Sequence, residues 1–325
     1  MAKKGTGWLA ALGITAAGSA ALAAAANRVF RTSVEAGADW HYGGNNKKEK
    51  KKDHPFAKYG DRPQAAKDWF LAQEMEDVHI TSSVDDTPLH ARYFACEHPK
   101  RLVLCAHGYR SNAVQHFAAI APWLREQGCS LLFIDERGCG QSGGAYITYG
   151  AREKYDVMDW LDWLNERNPE GLPLYLYGVS MGATAVLCAS EYVLPDNLAG
   201  IVADCGFVSM KEILRHCMRQ WYHIDSHALL WSVDQLCREK AHFGMYEADA
   251  EKALRKCRIP TLIIHGTEDD FVPPSHAVRN YHACAAPLRD ILWIEGAGHA
   301  ASYYEDPEKY QTTVLEHFRR CETSS

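Results

Sequence analysis

Short runs of consecutive apolar residues alternate with segments of helical spacing through most of this chain. The runs at residues 102–106, 131–134 and 174–177 predict strands that are buried on both faces. Residues 114–127 and 151–166 carry apolar side chains at helical intervals, so each segment predicts a helix between two of these strands. The alternation predicts an α/β fold with a mostly parallel central sheet and helices on both faces.

Three later apolar runs, at residues 200–203, 261–264 and 291–294, extend the predicted sheet. Residues 77–95 instead alternate between apolar and polar positions around an Asp-Asp-Thr-Pro sequence, which predicts an antiparallel hairpin. No strand pattern occurs from residue 208 to residue 258, where aromatic residues are frequent. Because open α/β sheets bind ligands beyond the carboxyl ends of their strands, this insertion predicts a helical lid. Ordinary helix packing would use the same aromatic residues.

The N-terminal segment differs in composition from the rest of the chain. Residues 5–26 are uncharged, lie between two pairs of basic residues and are mostly alanine and glycine. A stretch of about twenty apolar residues can span a bilayer, so this segment predicts a membrane anchor. A cleaved signal peptide and a docked helix remain alternatives. The predicted organisation is a hydrophobic segment at 1–31, a polar and basic linker at 32–62, and one globular domain at 63–325 with the lid insertion at about 208–258.

Charge and cysteine content narrow the setting in which the protein works. The 325 residues carry a formal net charge of -6, which gives no reason to expect a nucleic-acid partner. The 11 cysteines are odd in number, and their spacing is not typical of zinc sites. A reduced state is therefore favoured, and with it a cytosolic or membrane-attached protein. A cleaved signal peptide would instead imply a secreted one.

The segment from Gly178 to Gly182 reads Gly-Val-Ser-Met-Gly and follows a predicted strand. A helix-forming run comes directly after it, and a strand, a Gly-x-Ser-x-Gly turn and a helix together form a nucleophile elbow. Such a turn exposes the hydroxyl of Ser180 above the sheet, next to a helix N-terminus that favours negative charge. The pattern alone would occur by chance in about one in ten chains of this length, so its surroundings must decide.

A serine nucleophile needs a base to take its proton and an acid to orient that base. In chains with an elbow serine, the acid follows the serine and the histidine comes last. The loop after residues 261–264 supplies Asp269, with Asp270 and Glu268 as competing candidates, and the loop after residues 291–294 supplies His299. The order along the chain therefore agrees with a Ser-Asp-His arrangement.

Acyl transfer also needs two backbone N–H donors for the developing oxyanion. The N–H of Met181, directly after the serine, is the first candidate. The second should come from the loop after an earlier strand, where His107-Gly108-Tyr109 stands, and the N–H of Tyr109 is the candidate there. Gly108 would allow the backbone to approach the serine closely.

Taken together, these motifs resemble those of the α/β-hydrolase superfamily, over roughly residues 77–318. Within it, the chain is similar to bacterial hydrolases of the serine aminopeptidase, prolyl-oligopeptidase-like and monoacylglycerol-lipase-like branches, including a group with an N-terminal hydrophobic segment. The resemblance implies Ser180 as nucleophile, His299 as base and Asp269 rather than Asp270 as acid. It also implies that Ser142, in the Asp135-to-Ser142 loop, is structural.

The expected activity is hydrolysis of a carboxylic ester by a serine hydrolase that forms an acyl-enzyme intermediate. A peptidase or an acyltransferase would use the same residues, and Glu212, Arg215 and Arg219 are candidates for binding a peptide terminus. A non-catalytic binding protein on the same fold is the third alternative. The expected partner is a small ester or acyl substrate, and the proposed chemistry requires neither a metal nor an organic cofactor.

Overall fold

The computed structural model describes residues 6–37 and 56–323. Most of the predicted linker, including its basic run at 47–52, lies outside these residues. One sheet contains eight strands, which are β1 (Glu76–Thr81), β2 (Pro88–Phe94), β3 (Arg101–Ala106), β4 (Cys129–Ile134), β5 (Leu174–Val179), β6 (Leu198–Asp204), β7 (Thr261–Gly266) and β8 (Arg289–Ile294). The described helices are α1 (Thr6–Ser33), α2 (Arg62–Leu71), α3 (Ala113–Phe117), α4 (Ala121–Glu126), α5 (Glu153–Glu166), α6 (Met181–Ala189), α7 (Met210–Tyr222), α8 (His227–Lys240), α9 (Ala250–Leu254), α10 (Ser275–Ala283), α11 (Ser302–Glu305) and α12 (Pro307–Thr323).

The strands are arranged in the order β1-β2-β4-β3-β5-β6-β7-β8. The β1–β2 and β2–β4 pairs are antiparallel, and every other pair is parallel. In the centre, Leu104 is opposite Leu132 on one side and Leu176 on the other. Strands β3, β4, β5 and β7 are buried along their whole length, as their unbroken apolar runs predict. The predicted hairpin and the mostly parallel sheet are both confirmed.

One helix prediction was wrong. Residues 114–127 do not form a single helix but divide into α3 and α4, with a turn between them. Pro122 stands in the first turn of α4. In a continuous helix its ring would clash with the carbonyl of Ala118, and it has no N–H to donate. The break leaves α3 as a short separate element that places His116 beside the loop after β3.

The insertion between β6 and β7 is helical, as its sequence predicts, and consists of α7, α8 and α9. The hydroxyl of Ser209 caps α7 by accepting from the N–H of Glu212, and α7 ends at His223 in the left-handed conformation. Ile213, Leu214 and Met218 form the buried face of α7. This amphipathic helix therefore turns its apolar side towards the body of the protein.

Helix α1 packs against α8. Its Ala26 and Phe30, together with Val34 just beyond its end, are fully buried in the main hydrophobic core. Backbone hydrogen bonds from Ala36 N–H to Ala145 O and from Ile147 N–H to Val34 O, each 2.8 Å, fix the segment that follows. Within the described part of the chain, no helix has the length and apolarity needed to cross a bilayer. The division at residues 31 and 62 stays a prediction.

Candidate active site

Ser180 stands between the end of β5 and the first residue of α6, with φ 57° and ψ -116°. Positive φ is uncommon for a residue with a side chain and indicates a strained backbone. Gly182 makes the tight turn sterically feasible, because a Cβ there would lie 2.2 Å from the carbonyl oxygen of Ala106. The turn has the geometry that the Gly-x-Ser-x-Gly sequence predicts for a nucleophile elbow.

The structure brings Ser180, His299 and Asp269 together. The Ser180 hydroxyl donates to His299 Nε2 at 2.9 Å, and His299 Nδ1 lies 2.8 Å from Asp269 Oδ2. Because a carboxylate only accepts hydrogen bonds, Nδ1 carries the proton and Nε2 is the acceptor. Asp270 and Glu268, the competing acids, are both exposed, whereas Asp269 is 3% exposed. Asp269 is thus the acid that meets the histidine.

Asp269 remains ionised despite its burial. Burial raises the pKa of its carboxyl, but the attraction of His299 and hydrogen bonds from His265 and His299 outweigh that effect and hold the pKa well below its usual range. The backbone N–H groups of Phe271 and Val272 also donate to Oδ1, at 3.1 and 2.8 Å. The carboxylate is therefore fixed in position as a permanent hydrogen-bond acceptor for His299.

Sequence reasoning missed His265, which lies behind the acid. Its side chain is fully buried, and its Nε2 is 2.8 Å from Val272 O and 3.3 Å from Asp269 Oδ2. Burial lowers the pKa of His265, yet its hydrogen bond and attraction to Asp269 outweigh this and raise the pKa overall. A polar residue inside the apolar run of β7, four positions before the acid, was the available signal.

The loop after β3 lies against the serine. A Cβ on Gly108 would lie 2.9 Å from Ser180 Cβ and 2.7 Å from His116 Cε1, so only glycine fits this approach. His107 Nδ1 donates to the carbonyl oxygen of Gly108 at 2.8 Å. Tyr109 lines the same cavity as Ser180, and Met181 is the first residue of α6. Both candidate oxyanion donors therefore belong to segments that adjoin the serine.

Ser142 uses its hydroxyl inside its own loop. The hydroxyl donates to the carbonyl oxygen of Asp135 at 2.6 Å and accepts from the N–H of His90 at 2.9 Å. His90 Nδ1 in turn lies 2.8 Å from Asp135 Oδ2. These contacts join the loop to β2, which agrees with the structural role that the resemblance implies for Ser142.

A cavity of about 230 Å³ opens above Ser180. Its walls come from α1, α7 and the start of α8, and from aromatic side chains around the elbow, namely Tyr109, Tyr149, Phe207 and Phe271. Arg28 is the single charged side chain among the described residues that line the cavity. Glu212, Arg215 and Arg219 do not line it: the two arginines pair with Asp225, and Glu212 faces Arg279 at 3.9 Å. The cavity is suited to an apolar group.

In the described part of the chain, one group of side chains has potential metal ligands close together. The ligand atoms of Cys205, Asp269 and His299 lie within 4.8 Å of one another. Burial raises the pKa of the Cys205 thiol well above its usual value, so the thiol stays protonated and is a poor ligand. Asp269 and His299 already bond to each other. The arrangement favours hydrogen bonding over metal binding.

Several known proteins are similar to this chain in structure or in sequence. The esterase Pf2001 of Pyrococcus furiosus superposes with a TM-score of 0.62 at 24% identity, covering 78% of this chain and 94% of that one. A monoacylglycerol lipase of Paleococcus ferrophilus gives a TM-score of 0.52 at 21% identity, covering 70% of this chain and 97% of that one. At these identities the two structures share the fold. The protein YqkD of Bacillus subtilis is 30% identical over 219 residues, which are 67% of this chain and 70% of YqkD.

A family model described as serine aminopeptidase, S33, matches residues 97–242. The chain belongs to the α/β-hydrolase superfamily. The resemblance and the fold class that the motifs predict are thereby confirmed for this α/β-hydrolase. Its family supports a hydrolase activity.

Proposed function

We propose that this α/β-hydrolase is a serine hydrolase that cleaves a carboxylic ester. The observation that carries the proposal is the continuous hydrogen-bond chain from Asp269 through His299 to Ser180, at the floor of an apolar cavity. As Ser180 Oγ attacks the ester carbonyl, His299 Nε2 takes its proton, and Asp269 stabilises the imidazolium that forms. His299 then gives this proton to the departing alcohol.

The second half of the reaction uses the same groups. A water molecule loses a proton to His299 and attacks the acyl-enzyme carbonyl, and His299 then returns that proton to Ser180 Oγ as the acid is released. In both halves the carbonyl oxygen becomes an oxyanion, for which we propose the backbone N–H groups of Tyr109 and Met181 as donors. Loss of one such donor typically costs about 10²–10³ in kcat.

The cavity favours an ester over a peptide with a free amino terminus. An ammonium group bound next to Ser180 would need a carboxylate, and none of the described residues that line the cavity is acidic. Glu212, the acidic candidate, faces Arg279 instead. Acyl transfer to an acceptor other than water would use the same machinery, so product analysis with added alcohols separates a hydrolase from an acyltransferase.

Reaction with a fluorophosphonate probe and turnover of a short-chain p-nitrophenyl ester test the proposal. We expect labelling at Ser180 and ester turnover in the wild type, and loss of both in Ser180→Ala. Ser232→Ala, at a half-buried position of α8 that does not line the cavity, is the matched control and should react like the wild type. Folded wild-type protein with neither labelling nor turnover would support a non-catalytic binding protein. Faster turnover of aminoacyl amides than of esters would support a peptidase.

We also propose that α7 and α8 act as a lid and that residues 5–26 attach the protein to a membrane surface. Both helices cover the cavity. Residues 18–25 of α1, which precede its buried part, are mostly exposed, and all of them except Ser19 are apolar. Flotation with phospholipid vesicles tests the attachment. Protein that stays at the bottom of the gradient at both low and high salt contradicts it.

A further inference from the structure

We propose that the last turns of α1 form one wall of an acyl-binding cavity that takes acyl chains of about eight carbons. This inference rests on the proposed esterase function and names the substrate class for that site. The N-terminal segment, which its sequence sets apart from the globular domain, thereby becomes part of the substrate site.

Two adjacent faces of α1 make different contacts. Ala26 and Phe30, one turn apart, are buried against the core. Ala25, Val29 and Thr32 follow the spacing i, i+4 and i+7 and line the cavity above Ser180. One face therefore docks the helix on the protein, and the adjacent face is presented to the substrate.

Hydrogen bonds join the end of α1 to the loop that approaches Ser180. The carbonyl oxygen of Ser33 accepts from the hydroxyls of Tyr109, at 3.0 Å, and Tyr149, at 2.9 Å. The Arg110 guanidinium donates to the carbonyl oxygen of Glu35 at 2.5 Å. The last carbonyls of a helix have no partner within it, and here the hydroxyls of Tyr109, in the loop after β3, and of Tyr149 are partners for the carbonyl of Ser33. The wall formed by α1 is thus held in a fixed position relative to the elbow.

The volume of the cavity limits the length of the acyl chain that it can hold. An engineered cavity of about 150 Å³ holds benzene, which has six non-hydrogen atoms. In the same proportion, the cavity of about 230 Å³ holds about nine non-hydrogen atoms. An octanoyl group has eight carbons and one carbonyl oxygen. Met218 and Trp221 of α7 provide further apolar surface in the same cavity.

The test is the chain-length profile of kcat/KM on p-nitrophenyl esters from acetate to dodecanoate. We expect the wild type to peak near octanoate. Val29→Trp fills the cavity from the α1 side and should lower the octanoate-to-acetate ratio at least tenfold. Val29→Ala enlarges the cavity and should move the peak towards decanoate or dodecanoate. Ala20→Trp is the matched control: this exposed position of α1 does not line the cavity, and its profile should equal that of the wild type.

The outcomes separate this inference from the proposed function. Absence of ester turnover and of Ser180 labelling in the wild type overturns the proposed function itself. Ester turnover with the same chain-length profile in the wild type, Val29→Trp and Val29→Ala overturns only the role of α1. Thermal melting of each variant shows whether it folds. If Val29→Trp does not fold, the chain-length profile of Val29→Ala still tests the inference. A profile altered equally by Ala20→Trp also contradicts the inference.

Discussion

His116 Nδ1 accepts a hydrogen bond from the backbone N–H of Gly108, with 2.9 Å between the two nitrogens. Burial lowers the pKa of His116 to about 3, so the imidazole is neutral at working pH and Nδ1 keeps its lone pair. The other nitrogen, Nε2, is 3.4 Å from the hydroxyl of Ser111. A neutral histidine on α3 therefore fixes the peptide that precedes the proposed oxyanion donor, Tyr109.

Replacing His116 with Ala should lower kcat for an ester about 10²-fold, because the loop loses the bond that sets its distance from Ser180. KM should change much less, since the cavity walls remain. His116→Asn is the matched variant: its amide oxygen can accept from Gly108 N–H in place of Nδ1, so it should recover much of kcat. Equal losses in the two variants, measured by steady-state kinetics at matched folded fraction, would contradict this role.

The choice of acid gives a second prediction. Asp269→Asn keeps the shape of the side chain but removes the charge that stabilises the His299 imidazolium, so kcat should fall by about 10³–10⁴. Asp270→Asn, one residue further and exposed, is the control and should keep kcat within about threefold of the wild type. Steady-state kinetics on one ester decides between them. A larger loss of kcat in Asp270→Asn than in Asp269→Asn would show that Asp270, and not Asp269, is the acid.

The strands could be predicted because their apolar runs are local signals. The break between α3 and α4 was missed because helical periodicity continues across Pro122, whose effect on the preceding turn is steric. The position of α1 could not be predicted either. Its alanine-rich sequence fits a bilayer and a protein groove equally well, and only contacts made by Phe30 and Val34 with distant residues distinguish the two.

The three residues of the hydrogen-bond chain were predictable because each follows a strand whose carboxyl end lies at the same edge of the sheet. His116 and His265 were missed because neither contacts the serine directly: His116 acts through the backbone of Gly108, and His265 acts through Asp269. The aromatic residues of the insertion were also indistinguishable in the sequence. Trp221 and Tyr222 line the cavity, whereas Phe243 is part of the core.

The strained backbone of Ser180 should lower the stability of the folded protein. Its φ of 57° and ψ of -116° favour glycine, and a side chain there costs roughly 1–3 kcal/mol. The unfolded chain gains about 0.5–1 kcal/mol of freedom from a glycine, which offsets part of that cost. In a chain of 325 residues, Ser180→Gly should therefore melt about 1.5 °C above Ser180→Ala for each kcal/mol that remains. Both variants lack the hydroxyl, so calorimetry of the pair isolates the backbone, and a higher melting temperature for Ser180→Ala would rule out strain.

Asp204 predicts a dependence of stability on pH. Burial raises the pKa of its carboxyl to about 6, although hydrogen bonds from Tyr310 and Ser302 oppose the rise. The native state therefore binds more protons than the unfolded state between the ordinary pKa of 3.8 and about 6. The resulting contribution to stability is complete below the unfolded pKa and is lost as the pH rises through the folded one.

Asp204→Asn removes this titration and keeps the size of the side chain. The free energy of unfolding of the wild type relative to Asp204→Asn should fall by about 2.4 kcal/mol between pH 4 and pH 7.5. Urea unfolding of both proteins at several pH values measures this difference, with equal m-values as the check that both unfold alike. A difference in the free energy of unfolding that is constant with pH, or that grows in favour of the wild type as the pH rises, would contradict the prediction. It would show that ionisation of the buried Asp204 does not destabilise the protein.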